Sequence, residues 1–382
     1  MINWGINTFD LAIEKLVAGG EGLGFNDGKA VFVSGVLPGE RVSVETVESR
    51  ADFSRAALRG ILAASPQRCE PPCALAGICG GCDWLHISYP EQLAQKKAIA
   101  LEALRRVGRI ELEDAEIEGS LPLGYRSRIQ IHRDEQGALG FMGARSNRVV
   151  PVTGCPVAAP AANRAFASDP PAGLTRFTVF GWDLSYACEG VPGREELSVE
   201  VCGLPVAFSV RCFFQSNVSA LEKLVAYVKG ILDGALPQRE AAVADLYCGV
   251  GVFGAHFFSA ARGITSVEKD RLSISYAKRN VPRGRNKFYA TSVENWSALG
   301  GSGRAFDAVV VDPPRAGLTR AVRRYLAERK PPLLVYVSCN PVTLARDLAF
   351  FLDSGFGLTS LRLFDFYPQT SHVEAVAALQ TA

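Results

Sequence analysis

The stretch Phe306-Asp307-Ala308-Val309-Val310-Val311-Asp312-Pro313-Pro314-Arg315-Ala316-Gly317, with its sequel Leu333-Leu334-Val335-Tyr336-Val337-Ser338-Cys339-Asn340-Pro341, decides the fold class. Each half is a short β-branched run that stops at a polar or reactive residue and then meets proline. Runs of this kind, bounded by breakers, read as strands of a parallel sheet buried on both faces. In open α/β sheets, ligands gather beyond the carboxyl ends of the strands. Asp312 and Cys339 are therefore expected at the mouth of one cleft: an acid that can position a substrate and a thiol that can attack it.

Upstream, Ala241-Ala242-Val243-Ala244-Asp245-Leu246-Tyr247-Cys248-Gly249-Val250-Gly251 is an apolar strand running into a glycine-rich turn. Such glycines let backbone come close to a ligand. Further on, Ile264-Thr265-Ser266-Val267-Glu268 reads as a second strand ending in an acid, where a carboxylate can grip a ribose. A dinucleotide enzyme could carry the same turn. Hydride transfer, however, has no use for an Asp-Pro-Pro at the end of one later strand and a thiol at the end of the next. Group transfer has a use for both.

A chain of 382 residues, 48% of them hydrophobic, suggests two or three domains with sizeable cores. A formal charge of +2 neither demands nor excludes nucleic acid. No apolar run reaches membrane-span length, and Asp10 and Glu14 interrupt the start of the chain where a signal sequence would be apolar. A cytoplasmic protein without a membrane partner or an obligate protein partner is the expectation.

The expected fold class is α/β in three parts. Residues 1–56, with turn-punctuated strands around Ala30–Val36 and Arg41–Val47, read as a small OB-like β-barrel, a way of burying short strands without open edges. Residues 57–234 read as a mixed α+β domain, with one helix starting near Pro90 and another over Asn217–Leu232 that carries Leu221, Leu224, Val225, Val228 and Ile231 on one face. Residues 235–382 read as a Rossmann-like domain.

Ten cysteines in a reducing compartment point to metal or catalysis before disulfides. Cys188, Cys202, Cys212 and Cys248 sit among apolar neighbours and read as buried thiols. Cys73, Cys79 and Cys82 form a local trio around Gly80-Gly81, and Cys155 is a remote fourth followed by Pro156. Four thiolates so arranged suit tetrahedral zinc or a four-iron cluster, with Cys69 as an alternative to Cys73. Arg126, Arg128, Arg133, Arg145 and Arg148, interspersed with Tyr125 and Phe141, suit phosphate contacts and base stacking on unpaired RNA.

Taken together, these motifs resemble those of the S-adenosylmethionine-dependent RNA (uracil-5-)-methyltransferases, in particular the iron–sulfur-containing branch that acts on 23S ribosomal RNA. The resemblance spans nearly the whole chain and rests on Gly19–Val44, the four cysteines, Phe214-Gln215-Ser216-Asn217, Asp245–Gly251, Asp312–Gly317, Ser338–Pro341 and Ser371-His372-Val373-Glu374. It implies Cys339 as nucleophile, Glu374 as the base that removes the C5 proton, and Asp312 as a catalytic or cofactor-orienting acid. It implies S-adenosylmethionine at Gln215, Tyr247, Gly249, Gly251, Glu268, Ser292 and Asp312, and a [4Fe-4S] cluster on Cys73, Cys79, Cys82 and Cys155. It implies structured RNA with an unpaired target uridine in 23S rRNA, and the residue pattern puts Arg126, Arg128 and Arg133 in contact with it. Val252 departs from the family, which often has asparagine there. Transfer RNA is the alternative substrate. A non-catalytic iron–sulfur RNA-binding protein or an electron carrier are the alternatives outside this enzyme class.

Overall fold

Alternation of Val42 and Val44 with polar neighbours drives one set of side chains inward, and the first sheet is built on that pattern. The computed structural model describes residues 8–168, 171, 173–236, 241–257, 261–282, 284–301, 303 and 305–381, so residues 1–7 of the expected first domain lie outside it. Strands β1 (Thr8–Ala12), β2 (Lys15–Leu16), β3 (Gly22–Asn26), β4 (Lys29–Val33), β5 (Arg41–Ser49) and β6 (Phe53–Ala63) form a six-stranded sheet in the order β1-β5-β6-β4-β3-β2. It curls over Leu11, Ile13, Val31, Val33, Val36, Val42 and Val44. The expected barrel is not closed: β1 and β2 are the two edges, and no ladder joins them among the described residues. With two residues, β2 is too short to offer β1 a ladder.

Helix α1 (Tyr89–Ala103) starts with proline in its first turn and passes into a π-helical turn over Leu104–Gly108. Strands β7 (Glu116–Glu118), β8 (Arg128–Arg133), β9 (Leu139–Met142) and β10 (Val149–Pro151) follow, then α2 (Pro160–Asn163), β11 (Arg176–Trp182) and β12 (Ser185–Cys188). All but β7 and α2 build a five-stranded antiparallel sheet in the order β10-β9-β8-β11-β12. The hairpin β13 (Glu196–Val201) and β14 (Leu204–Ser209) turns at Cys202-Gly203, both with positive φ (47° and 78°). Cys202 is consequently exposed at a tight turn and not buried as its neighbours suggest, whereas Cys188, Cys212 and Cys248 are buried. Helix α3 (Val218–Ala235) is capped by Asn217, whose side chain accepts from the Ala220 amide. Its buried face carries Leu221, Leu224, Val225, Val228 and Leu232.

The last third alternates strand and helix: β15 (Ala241–Leu246), α4 (Val252–Phe257), β16 (Ala261–Glu268), α5 (Arg271–Asn280), β17 (Lys287–Ala290), α6 (Val293–Ala298), β18 (Ala308–Val311), α7 (Arg320–Arg329), β19 (Leu333–Ser338), α8 (Pro341–Asp353), β20 (Phe356–Phe364) and β21 (Glu374–Thr381). They form an eight-stranded sheet in the order β17-β16-β15-β18-β19-β21-β20-β7. The run β17 to β19 is parallel, β21 enters antiparallel between β19 and β20, and β7 adds to the far edge. The strand order reverses between β15 and β18, which opens a crevice at their carboxyl ends.

Helix α1 and β7, though early in the chain, belong physically to this last sheet. Ala100, Ala103 and Leu104 share a core with Leu344 and Leu348 of α8. Deeper still, Lys96 pairs with Asp365 at 2.6 Å with both side chains fully buried, and the Gln92 side chain accepts from the Gln369 amide at 2.8 Å.

Candidate functional site

Register brings the expected reactive groups together. The ladder between β19 and β21 ends on the pair Ser338 and Ala375. One step beyond it, Cys339 leaves β19 as Glu374 enters β21, so the thiol and the carboxyl stand across from each other. Asp312 follows Val311 at the end of the neighbouring parallel strand β18. All three line one cleft of about 620 Å³, together with Gln215, Tyr247, Gly249, Glu268 and Ser292. Gly251 does not line it but lies beneath: a Cβ there would come within 2.9 Å of the Ala277 Cα, so the glycine lets the turn press on α5.

The turn after β15 has positive φ at Tyr247 (63°), Gly249 (54°) and Gly251 (82°). Tyr247 is a non-glycine residue held in that sparsely populated region, and its hydroxyl donates to Glu294 Oε1 at 3.0 Å. Glu268 accepts from the Gly249 amide at 3.2 Å and from the Asp270 amide at 2.8 Å, which fixes its carboxylate at the cleft edge. Ser292 caps α6, its hydroxyl accepting from the Asn295 amide. Val252 lines a small side cavity of about 60 Å³ with Gln215 and Asp312.

The mouth is rich in carboxyls and poor in counter-charge. Burial pushes Asp312 up to about 7 and Glu374, which is 3% exposed, well above the carboxylate range. The Asp312 charge adds to the shift of Glu374, while Arg315 opposes it. Burial, then Glu374 and Asp312, raise the Cys339 thiol to about 12, again against Arg315. Asp245 is driven up to about 7 by burial; its Oδ2 accepts from the Gly254 amide at 3.0 Å, and its Oδ1 has no partner. Gln215 Oε1 is likewise buried and unpartnered. The orphaned Gln215 acceptor, a backbone turn with positive φ and a fixed edge carboxylate fit a cationic nucleoside such as S-adenosylmethionine.

A second cavity, of about 440 Å³, adjoins the first and contains Cys73, Cys79, Cys82 and Cys155 along its wall. The expectation of a [4Fe-4S] cluster, and with it the iron–sulfur branch of the family, is corrected here. Among the described residues no group of three or more His, Cys, Asp or Glu side chains is disposed to hold a metal ion. Burial raises the Cys82 thiol to about 12 and Cys79 above its ordinary value, so in this structure both are held as neutral thiols. Cys69 is exposed, its Sγ 3.6 Å from the Leu85 carbonyl. Arg126 and Arg128 line this cavity, whereas Arg133 faces a separate groove of about 950 Å³ with Arg148 and Arg176.

Sequence reasoning missed Phe213, Arg315, Tyr367 and His372, the residues that line both cavities and so join them. Arg315 Nη2 donates to His372 Nε2 at 3.1 Å, and its carbonyl accepts from Asn340 and Thr343 at the start of α8. Phe213 is 61% exposed beside a fully buried Phe214. The available signal was position: Arg315 and His372 lie inside motifs already singled out, Phe213 directly precedes one, and Tyr367 lies four residues before another.

Residues 301–382 match the tRNA (Uracil-5-)-methyltransferase family, and residues 229–328 match the methyltransferase small domain. An uncharacterized RNA methyltransferase of Aquifex aeolicus is 31% identical, over 97% of this chain and 98% of that protein. The 23S rRNA (uracil(1939)-C(5))-methyltransferase RlmD of Pectobacterium atrosepticum is 29% identical, over 94% of this chain and 90% of that protein. In fold, the chain is similar to the tRNA (uracil-54, C5)-methyltransferase of Pyrococcus abyssi, with a TM-score of 0.75, 23% identity, and coverage of 97% of this chain and 100% of that one. No helix among the described residues is long and apolar enough to cross a membrane. The chain belongs to the S-adenosylmethionine-dependent RNA methyltransferases, and its residues 301–382 carry the match to the uracil-5 family.

Proposed function

We propose that this enzyme transfers a methyl group from S-adenosylmethionine to C5 of a uridine in structured RNA, by way of a covalent bond between Cys339 and C6, with a 23S rRNA uridine as target. The register that sets Cys339 opposite Glu374, beside Asp312 in one cleft, carries the reading. Uracil C5 is a poor nucleophile until a thiolate adds at C6 and pushes the double-bond electrons toward C5 and the C4 oxygen. In this cycle Asp312, poised near 7, accepts the thiol proton as the sulfur–C6 bond forms. Bound S-adenosylmethionine supplies the electrophilic methyl group and a positive sulfonium. Glu374 then takes the C5 proton, the C5–C6 double bond re-forms, and the Cys339 thiolate leaves and recovers its proton from Asp312. A sulfonium bound in this cleft would favour the ionised forms of Asp312 and Glu374, which is the state both tasks require.

Gln215, Tyr247, Gly249, Gly251, Glu268, Ser292 and Asp312 are assigned to the cofactor, with Gly251 shaping the turn and Ser292 fixing the start of α6. Arg126 and Arg128 are assigned to RNA next to the target base. The N-terminal sheet is assigned to RNA through exposed side chains such as Phe25, because Arg41, Arg50, Arg55 and Arg59 are already paired with carboxylates. The RlmD relative favours ribosomal RNA, and the family match of residues 301–382 favours transfer RNA as the second reading. Methyl-labelled cofactor, both RNA classes and denaturing electrophoresis test the proposal. Cys339→Ala should abolish 5-methyluridine formation with RNA binding intact, and Glu374→Gln should accumulate a labelled protein–RNA adduct. Turnover by Cys339→Ala at the parent rate overturns the covalent route, and the preferred RNA decides between the two targets.

A further inference from the structure

The cycle above leaves one event without a partner. When the sulfur adds to C6, negative charge develops on the C4 oxygen of uracil, and a donor aimed at that position is worth more in a water-poor cleft than in bulk water. Tyr367 carries a phenol donor on the wall of this cleft. It lines both the reaction cleft and the adjoining cavity, half-buried between them. Its ring meets His372 edge to face, with centroids 6.0 Å apart, and the Arg126 guanidinium lies 5.7 Å from its centre on another side.

The backbone around it is held from several directions. Its amide donates to Asp365 Oδ1 at 3.1 Å, and its carbonyl accepts from Lys96 Nζ at 3.0 Å and from the Thr370 hydroxyl at 2.7 Å. On either side, the Phe366 carbonyl accepts from Asn217 and the Pro368 carbonyl from the Tyr125 hydroxyl. A backbone fixed this firmly, with the ring set between His372 and Arg126, limits the reorganisation needed when charge appears in the cleft. Burial, reinforced by the Glu374 charge, raises the phenol to about 12, so it stays protonated at neutral pH, and the Cys339 charge acts on it as well.

We propose that Tyr367 is a further catalytic residue, its hydroxyl donating a hydrogen bond to the C4 oxygen of the target uracil while Cys339 adds to C6. This assignment rests on the covalent reading of the same cleft. In the step, the sulfur–C6 bond forms, the C5–C6 π pair shifts toward C5 and the C4 oxygen, and the thiol proton passes to Asp312. Tyr367 keeps its proton and contributes only the hydrogen bond.

The test uses the full chain and substrate RNA carrying 5-fluorouridine at the target. A C5–F bond cannot yield a proton to Glu374, so the rate of adduct formation on a denaturing gel reads addition and methyl transfer without the proton-removal step. Tyr367→Phe removes one oxygen and keeps the ring between His372 and Arg126. It should slow adduct formation at saturating RNA on the order of 10²-fold, the usual cost of one such donor. RNA affinity should stay within about twofold, because the bond strengthens only as charge develops. An unchanged saturating rate in Tyr367→Phe, or a loss explained by RNA affinity alone, overturns the role of Tyr367 and leaves the Cys339 mechanism standing. A parent enzyme that forms no adduct overturns the covalent reading, and the role of Tyr367 with it.

Discussion

Two polar interiors lie close together in this molecule and are built on opposite terms. In the contact between α1 and the segment after β20, a buried cation meets a buried anion: Lys96 donates to Asp365 Oδ1. The Gln92 amide nitrogen donates to the Trp84 and Ile87 carbonyls and to Gln369 Oε1, while its oxygen accepts from the Gln369 backbone. Around the mouth of the sheet, Asp312 and Glu374 in the cleft and Asp245 buried in β15 are held above the carboxylate range mainly by burial, and Asp245 Oδ1 and Gln215 Oε1 have no partner. Polar groups that satisfy one another hold a fold in place. Polar groups left unsatisfied in a cleft are what a ligand completes. The first interior is not perfect, since Asp365 Oδ2 makes no hydrogen bond and burial keeps the carboxyl raised and Lys96 lowered. Its design is nonetheless pairing, and its product is the fixed segment that carries Tyr367, His372 and Glu374.

The largest effect should come from breaking that pairing. Lys96→Met strands the Asp365 carboxyl in a site where both partners are fully buried, and removal of one member of such a pair costs about 3–5 kcal/mol. Denaturant unfolding should register this loss. Adding Asp365→Asn to the same chain should return most of it, because the amide oxygen can still accept from the Tyr367 backbone without a charge to solvate. A Lys96→Met protein as stable as the parent would mean that the pair contributes nothing, and the contrast between the two interiors would collapse.

A smaller effect of opposite sign is expected at the mouth. Burial raises Asp245 from the ordinary aspartate value of 3.8 to about 7 in the folded chain, so between those limits the folded chain binds the extra proton. Its contribution to stability is fully present below about pH 4 and is lost as the pH rises through 7. Asp245→Asn keeps an oxygen for the Gly254 amide and cannot ionise. Its melting temperature should therefore exceed that of the parent at pH 8, by about 1–3 kcal/mol in stability, and the excess should shrink toward pH 5. A variant less stable than the parent at pH 8 would assign Asp245 to the satisfied class.

Much of the mouth was legible in the sequence because its cause is local. A buried β-branched run must end somewhere, and Asp312 and Cys339 mark the ends of β18 and β19 as quoted from the chain. The apposition of Cys339 with Glu374 was not legible, since it depends on β21 entering antiparallel between β19 and β20. Nor was the fate of α1. Gln92 and Lys96 look like solvent-facing positions, yet both are fully buried, because the segment they meet arrives from the far end of the chain. The cysteines teach the limit of spacing: it was read as a metal centre on Cys73, Cys79, Cys82 and Cys155, whereas the four share a cavity wall without being disposed around a metal. Strand β7, with three residues, carries too short a pattern to announce the sheet it joins.

The arginines give the finest test of whether an unsatisfied polar atom marks a binding surface. Arg133 Nε is buried without a partner, although its Nη2 donates to the Pro171 carbonyl at 3.1 Å. It faces the groove shared with Arg148 and Arg176, apart from the cavities that hold Arg126 and Tyr367. If the rule drawn from the mouth extends to this groove, Arg133 meets an RNA phosphate remote from the reacting base. Arg133→Ala should then lower RNA affinity only about two- to fivefold, with an unchanged turnover at saturating RNA. The slope of log affinity against log salt should flatten by about 0.7 to 0.9, the value of one phosphate contact. Arg126→Ala, which removes the guanidinium from the Tyr367 ring, should instead reduce turnover along with affinity. An Arg133→Ala enzyme with unaltered affinity and salt slope would confine the rule to the mouth, leaving the buried Nε as a local imperfection of the central sheet.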